Sequence, residues 1–380
     1  MSEISERLLR LSPEKRDILL QRINKQTRQA MGQDFQPRAA ETRPFGPGDE
    51  NFKLRIRDIG DLDSLIFEAC PRLNPKPRQV VIQVYGASLN FRDVMTAFDM
   101  YPQSSSRDPL LGDCAGKIVA VGEGVHDLQV GDEVLGLAAD PYSAFVTTWS
   151  FNVVRKPASM TFEEASTIPT VYATVYYSLH HLARLSRGEK VLIHSAAGGI
   201  GLAAVQVARW LGAEIVATVG NSEKREYLRS IGIERIANSR NPNFDEEVRD
   251  LTNGEGVDVV LNSLAGEAIA KGLSLLRPLG RFIELGKRDV FGDGKLDLAL
   301  FRKFLSFSTV DLGTISLRPF FFPMLTEIMD HFAKGTFSIV PTRVFPIGEI
   351  SEAFKYMSRS QHIGKIAVRI KDEEVLLTSR

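Results

Sequence analysis

The run KVLIHSAAGGIGLAAVQVARWLGA, from Lys190 to Ala213, sets a short β-branched apolar segment, a glycine turn and a helical pattern end to end. No other stretch restricts the fold as strongly. KVLIHS reads as a buried parallel strand. Beyond the turn, Ala204, Val207, Ala208 and Leu211 recur at helical spacing, and Gly212 stands where a helix stops. Gly199 and Gly201, with small Ala204, fit the G-x-G-x-x-A form of a dinucleotide-binding turn. In that reading the first glycine permits the tight turn and the second lets backbone N–H groups approach a pyrophosphate. The alanine allows close helix–strand packing. A plain strand–turn–helix is the alternative reading of the same residues.

The next strand, EIVATV, bears on which dinucleotide would bind. An Asp or Glu for the ribose 2′-hydroxyl is expected roughly 20 residues beyond the glycines in an NAD site. Here Thr218, Gly220, Asn221 and Ser222 are followed by Lys224 and Arg225, which outweigh Glu223. Hydroxyls and cations suit a 2′-phosphate, so the expected cofactor is NADPH. The same residues also read as a solvated helix start with Ser222 as N-cap; the two readings are compatible, because a helix N-terminus is itself an anion site.

The 380 residues imply two or three domains at about 150 residues each. A hydrophobic share of 43% with 25% charged residues is that of an ordinary globular protein. Lys plus Arg and Asp plus Glu are 47 each, so no global charge points to nucleic acid or to an acidic membrane. The charged start MSEISERLLRL lacks the apolar core of a signal peptide, and Gln206, Arg209 and Glu214 break the longest apolar candidate for a membrane span. Cys70 and Cys114 are the only cysteines, which argues against a disulfide framework and fits a reducing cytoplasm.

Four regions are expected, one of them in two segments. Residues 1–50 hold a helical stretch, with Ser12 as N-cap and Pro13 at its first position, and then a Pro- and Gly-rich linker. Residues 51–168 and 309–371 form a β-rich substrate domain of barrel-like or folded-sheet type, from short alternating runs separated by turns. Residues 169–308 alternate strands and helices, which predicts a doubly wound parallel sheet of Rossmann type inserted in that β-rich domain. Residues 372–380 read as a tail.

Several stretches, taken in order, carry a resemblance: LNFRDVM at 89–95, the glycine run, VGNSEKR, VDVVLNSLAGE at 257–267, RFIELGKRDV at 281–290 and HIGKIAVRI at 362–370. Over about 50–370 the chain resembles the zinc-independent medium-chain dehydrogenases/reductases. Within them it is similar to the enoyl reductase domains of modular polyketide synthases and animal fatty acid synthase. The resemblance implies a GroES-like character for the β-rich domain. It also implies hydride addition from NADPH to the β-carbon of an enoyl thioester, followed by protonation of the α-carbon. The substrate would ride on the phosphopantetheine arm of an acyl carrier protein beside neighbouring synthase domains. Carrier domains are generally acidic, so a local basic patch is expected.

The resemblance places Lys287, Asp311 and Tyr101 at positions linked to protonation. A surface ion pair is the plain alternative for Lys287 and Asp311, and a packed loop residue for Tyr101. Cofactor positions fall on Asn90, Ala197, Gly198, Gly199, Ile200, Gly201, Thr218, Gly220, Ser222, Lys224 and Arg225. They continue through Arg240, Asn262, Ser263, Leu264, Gly286 and Lys287. PFFFPM, with Phe320, Phe321 and Phe322, reads either as acyl-channel lining or as core. No metal is expected: two cysteines cannot supply catalytic and structural zinc sites, and adjacent His180 and His181 point apart on a helix.

The chain departs from the family at QSSSRDPLLGDCAGKI, where Gln103 to Arg107 alter the loop after Tyr101 and Asp113 stands in the acidic position. Two alternatives follow. One is a reductase that closes a cyclopropane on a γ-halo enoyl thioester. The other, of a different class, is a non-catalytic NADPH-binding structural domain.

Overall fold

The computed structural model describes residues 42–101, 109–292 and 295–378. The expected helix at Ser12 and Pro13 and the loop from Gln103 to Arg107 lie outside these residues. The chain divides into two compact units. One comprises Ile168–Pro341 with Ile363–Lys365, and the other comprises the segments through Thr167, Thr342–His362 and from Ile366 onward.

The first unit is a six-stranded sheet in the spatial order Ile236–Asn238, Glu214–Val219, Lys190–Ile193, Val257–Asn262, Leu276–Glu284, Ser306–Thr309. Every pairing is parallel. Counted along the chain this is 3-2-1-4-5-6, the doubly wound order in which ligands bind beyond the carboxyl ends of the strands. The cores of the central strands are apolar, as expected for a parallel sheet covered on both faces: Val191, Leu192, Ile193, Val259 and Val260 are fully buried. Phe244, Leu273 and Phe282 complete one side of that core.

The glycine run forms as predicted, with a helix over Gly199–Leu211 closed by Gly212 at φ 75°. Its turn differs from the expectation. The left-handed residue is Ser195 at φ 54°, and Gly199 has no positive φ. The glycine requirement is instead one of contact. A Cβ on Gly201 would lie 2.4 Å from the Ala196 Cα, and one on Gly199 would lie 2.7 Å from the Lys365 Cδ.

The sixth strand, Ser306–Thr309, moves one expected boundary. This unit continues through the helix Phe321–Ala333 to Pro341, so the chain returns to the β-rich unit at Thr342 rather than at 309. Ser306–Thr309 has no buried residue, and an edge strand without an apolar face leaves no periodic trace in the sequence. Phe321 lies in the core, whereas Phe320 is exposed and stacks on Tyr177 at 5.7 Å.

The second unit contains two sheets. A seven-stranded sheet runs Thr342–Pro346, Lys365–Arg369, Gln79–Leu89, Leu111–Val121, Glu133–Ala139, Val153–Arg155, with Phe145–Trp149 also paired to Gln79–Leu89. A four-stranded sheet runs Thr42–Pro44, Leu376–Thr378, Leu65–Cys70, Asn51–Ile56. The expected linker and tail are thus in part structural: Thr42 pairs with Thr378, and Leu377 is buried. Three residues are too few to show a period, and only the pairing gives Leu377 a core to enter. Among the described residues no helix is long and apolar enough to cross a membrane.

The close approach of Gly201 to Ala196 yields a test. Gly201→Ala is expected to destabilise the chain by about 1–3 kcal/mol in urea unfolding, through overpacking against backbone that cannot turn aside. Gly198→Ala, where the nearest atom lies 3.5 Å away, is the control expected to leave the midpoint nearly unchanged.

Candidate active site

The helix Gly199–Leu211 begins without a capping side chain, because its N-cap is Gly198. Its first intrahelical bond runs from the Leu202 N–H to the Gly198 carbonyl, so the N–H groups of Gly199, Ile200 and Gly201 belong to the open first turn. Ala197 and Gly198 are pinned by Gly364, whose N–H donates to the Ala197 carbonyl at 2.9 Å. A 13-residue helix with a bare, positively polarised end at the carboxyl edge of a parallel sheet accepts an anion.

At the end of the neighbouring strand the expected anion-binding residues separate. Thr218 is fully buried, and its hydroxyl lies 3.0 Å from His194 Nδ1. Burial pushes the His194 imidazole down to about 3, so it is neutral, and its Nε2 has no hydrogen-bond partner. Thr218 therefore shapes the turn from inside. The N-cap of the next helix is Asn221, whose Oδ1 accepts from the Lys224 N–H at 2.9 Å; Ser222 is the first helical residue. Arg225 turns to the adjoining strand and donates to the Ile236 carbonyl at 2.7 Å. The cation that joins Lys224 is Arg240. Burial and then the charge of Arg240 push the Lys224 ammonium down to about 8. A Cβ on Gly220 would lie 2.8 Å from the Arg240 Nε, so glycine leaves the guanidinium room to cross the strand end. Glu223 offsets part of this repulsion, and an anion placed beside both cations would relieve more of it.

The fourth, fifth and sixth strands end in a second constellation. Lys287, 14% exposed, donates from Nζ to the Val310 carbonyl at 2.6 Å and lies 3.1 Å from Asp311 Oδ2. Asp311 also accepts from the Thr314 N–H at 2.8 Å. Burial opposes its ionisation, but the Thr314 bond and the Lys287 ammonium prevail and hold its carboxyl below the usual range. It is a carboxylate at neutral pH. Asn262 is fully buried, with its amide bonded to both Leu264 backbone groups and to Glu284, while Ser263 is exposed beside it. Glu284 is the site residue that sequence reasoning missed. An acid closing the apolar strand RFIE was the available signal, and the structure buries it within 2.6 Å of both Asn262 Nδ2 and the Gly286 N–H.

In the other unit, Asn90 and Tyr101 are held by separate contacts. Asn90 Nδ2 and Ser88 Oγ each donate to Asp113 Oδ2 at 3.0 Å. Asp93 Oδ2 accepts from the Asn90 N–H at 2.9 Å and from the Tyr142 hydroxyl at 2.7 Å. Burial, then Asp93, hold the Tyr142 phenol well above its ordinary value, so it remains a donor. The Arg92 guanidinium lies over the Tyr101 ring at 4.6 Å.

Cys114 is buried, its thiol pushed up to about 12 by burial, but Cys70 is only half-buried. His180 and His181 do not point apart. The segment Tyr177–Leu182 is a π-helical turn, whose wider winding reduces the angular step between successive side chains, and the two rings lie 4.9 Å apart. Among the described residues no group of three or more His, Cys, Asp or Glu could hold a metal ion.

Residues 76–170 match the alcohol dehydrogenase GroES-like domain, and residues 199–330 match the zinc-binding dehydrogenase family. These two modules define the medium-chain dehydrogenase/reductase fold. The described residues do not contain the ligand set to which the second name refers. Among solved structures, the CurK enoyl reductase is 41% identical, with 84% of this chain and 99% of that one covered and a TM-score of 0.77. The CurF enoyl reductase cyclopropanase of the curacin A pathway is 34% identical, over 84% of this chain and 99% of that one, with a TM-score of 0.76. A phenolphthiocerol/phthiocerol polyketide synthase polypeptide of Mycobacterium tuberculosis is 41% identical over 321 residues, which is 84% of this chain and 15% of that protein. The chain thus spans a small part of the synthase polypeptides it matches, and it belongs to the polyketide synthase enoyl reductase family.

The pairing of cations at Gly220 is testable in the free protein. Arg240→Gln keeps most of the side-chain volume and removes the repelling charge, so the Lys224 pKa is expected to rise from about 8. NMR titration of the labelled lysine side chain measures it, and an unmoved value would show that the two cations do not interact.

Proposed function

We propose that the chain reduces the α,β-double bond of an enoyl thioester with NADPH, the substrate being carried on the phosphopantetheine arm of an acyl carrier protein in a cytoplasmic synthase. The observation that carries this reading is the Lys287–Asp311 pair at the carboxyl edge of the doubly wound sheet. The sheet also carries the two anion-accepting features that a phosphorylated dinucleotide requires. The open turn at Gly199, Ile200 and Gly201 fits the pyrophosphate. Lys224 and Arg240 fit the 2′-phosphate. When bound, NADPH supplies a hydride from C4 of its nicotinamide to the β-carbon of the enoyl thioester.

Lys287 then answers the charge that the addition creates. Negative charge develops on the thioester oxygen, and a preorganised ammonium stabilises it without waiting for solvent to reorient. Asp311 is ionised and already accepts from Thr314 and Lys287, so it orients the lysine rather than donating a proton. The α-carbon takes its proton from Lys287 or from water. The likeness to the CurF cyclopropanase favours one further reading, closure of a cyclopropane on a γ-halo substrate, and the higher identity to the CurK reductase favours simple reduction.

Three measurements test this. NADPH is expected to bind at least tenfold more tightly than NADH, or about 1.4 kcal/mol, and Arg240→Ala to erase most of that difference. Equal affinities would remove the 2′-phosphate assignment. On crotonyl thioester, Lys287→Ala is expected to lower kcat about 10²-fold and Asp311→Ala about tenfold or less, with NADPH affinity retained in both. Full activity in Lys287→Ala would leave hydride positioning with solvent as the acid, and no turnover by the native chain would favour a structural role. With a γ-chloro enoyl thioester the expected product is the saturated chain, and a cyclopropane would move the reading to the second reaction.

A further inference from the structure

The carboxyl edge of the sheet contains a buried acid that the reaction above does not use. Glu284 is the last residue of the strand Leu276–Glu284 and is 1% exposed. Its Oε2 accepts from Asn262 Nδ2 and its Oε1 from the Gly286 N–H, each at 2.6 Å. Its backbone carbonyl accepts from the Val310 N–H, and the Leu285 N–H donates to the Asn262 carbonyl. Three strand ends therefore meet at one residue.

We propose that Glu284 is a positioning residue, whose carboxylate clips the segments Asn262–Leu264 and Leu285–Lys287 together so that Lys287 and the neighbouring backbone are fixed where the nicotinamide end of the cofactor is held. The proposal rests on the NADPH reading given above. Its physical basis is the polarity of the contacts. Both carboxylate oxygens face N–H donors, so the ionised form satisfies every partner. A protonated carboxyl would turn an O–H toward an N–H and lose one bond. Glutamine has the same defect, because its amide nitrogen must face either Asn262 Nδ2 or the Gly286 N–H. The Asn262 amide cannot flip in compensation, since its Oδ1 accepts from the Leu264 N–H and its Nδ2 also donates to the Leu264 carbonyl. Asn262 in this way passes the restraint from Glu284 to Leu264. Gly286 fits because a Cβ there would lie 2.7 Å from Glu284 Oε1.

The charged groups facing the carboxyl are few. Lys287 favours its ionisation, Asp289 opposes it, and the segment Asn262–Leu264 contributes none. Asp311, beyond the sixth strand, acts on Lys287. Burial pushes Glu284 up to about 7 against the bonds from Asn262 and Gly286, so the clip is ionised above that pH and opens below it. An acid with a raised folded pKa contributes stability below its ordinary range and loses it as pH rises through about 7. Local order at this edge and the contribution of Glu284 to global stability therefore change in opposite directions with pH, which a merely stabilising residue would not show.

The test compares the native chain with Glu284→Gln by amide hydrogen exchange without cofactor, and by kcat against pH on crotonyl thioester. Exchange at Gly286 and Leu264, corrected for its intrinsic pH dependence, is expected to be about tenfold faster in Glu284→Gln. Native kcat is expected to rise through an inflection near pH 7, and Glu284→Gln to lose that inflection, with kcat lowered about tenfold and the KM for NADPH within about threefold. Glu284→Asp, which keeps the charge but is one methylene short, is expected to retain the inflection. Native exchange together with a native pH profile in Glu284→Gln would overturn the proposal. If that variant does not fold, Asn262→Ala must speed exchange at Gly286, and unchanged protection there overturns it equally. A native chain that does not reduce the thioester would defeat the proposed function, while the exchange data would still decide the clip.

Discussion

The contact between Gly201 and Ala196 fixes the geometry on which the first unit depends. With no Cβ at Gly201, the helix Gly199–Leu211 lies directly on the backbone that follows the first strand, where a methyl group would come within 2.4 Å of the Ala196 Cα. That approach brings the uncapped helix end to the carboxyl edge of the sheet, beside the point where the strand order reverses. The left-handed turn is made by Ser195 rather than by a glycine. The glycines of this motif act here through packing, and the anion-accepting N–H groups follow from it.

Electrostatics along that edge falls into two characters. Beside the second strand, Lys224 and Arg240 repel, and an anion would relieve them. Beside the fifth and sixth strands, Lys287, Asp311 and Glu284 are mostly satisfied by the protein itself, through the Val310 carbonyl, the Thr314 N–H and the Asn262 amide. The first set suits the capture of a charged ligand. The second suits a rigid local field, because groups already bonded need little reorganisation when charge appears nearby.

The β-rich unit uses the same device internally. Asp113 holds the Asn90 amide and the Ser88 hydroxyl, while Asp93 holds the Asn90 N–H and the Tyr142 hydroxyl. Buried acids that accept from neutral donors orient those donors without an opposing charge. The Asp113 side chain of LGDCAG thus makes a specific contact with Asn90.

The sequence by itself determined the doubly wound sheet, the helix from Gly199 and the family, because each depends on local period and on residues adjacent in the chain. Residue type and position singled out Lys224 near the second strand end, whereas Arg240, Lys287 and Asp311 were expected only through the family resemblance. Tertiary structure alone decided what those residues face. Thr218 and Arg225, hydrophilic in the sequence, are bonded within the fold to His194 and the Ile236 carbonyl. The edge strand Ser306–Thr309 and the paired segments Thr42–Pro44 and Leu376–Thr378 are too short or too exposed to show a pattern, and exist through their partners. Glu284 was visible as a letter but not as a clip, since its two donors come from Asn262, 22 residues away, and from the backbone of Gly286. Periodicity is written along the chain, whereas a hydrogen-bond partner across strands is fixed only when the sheet has formed.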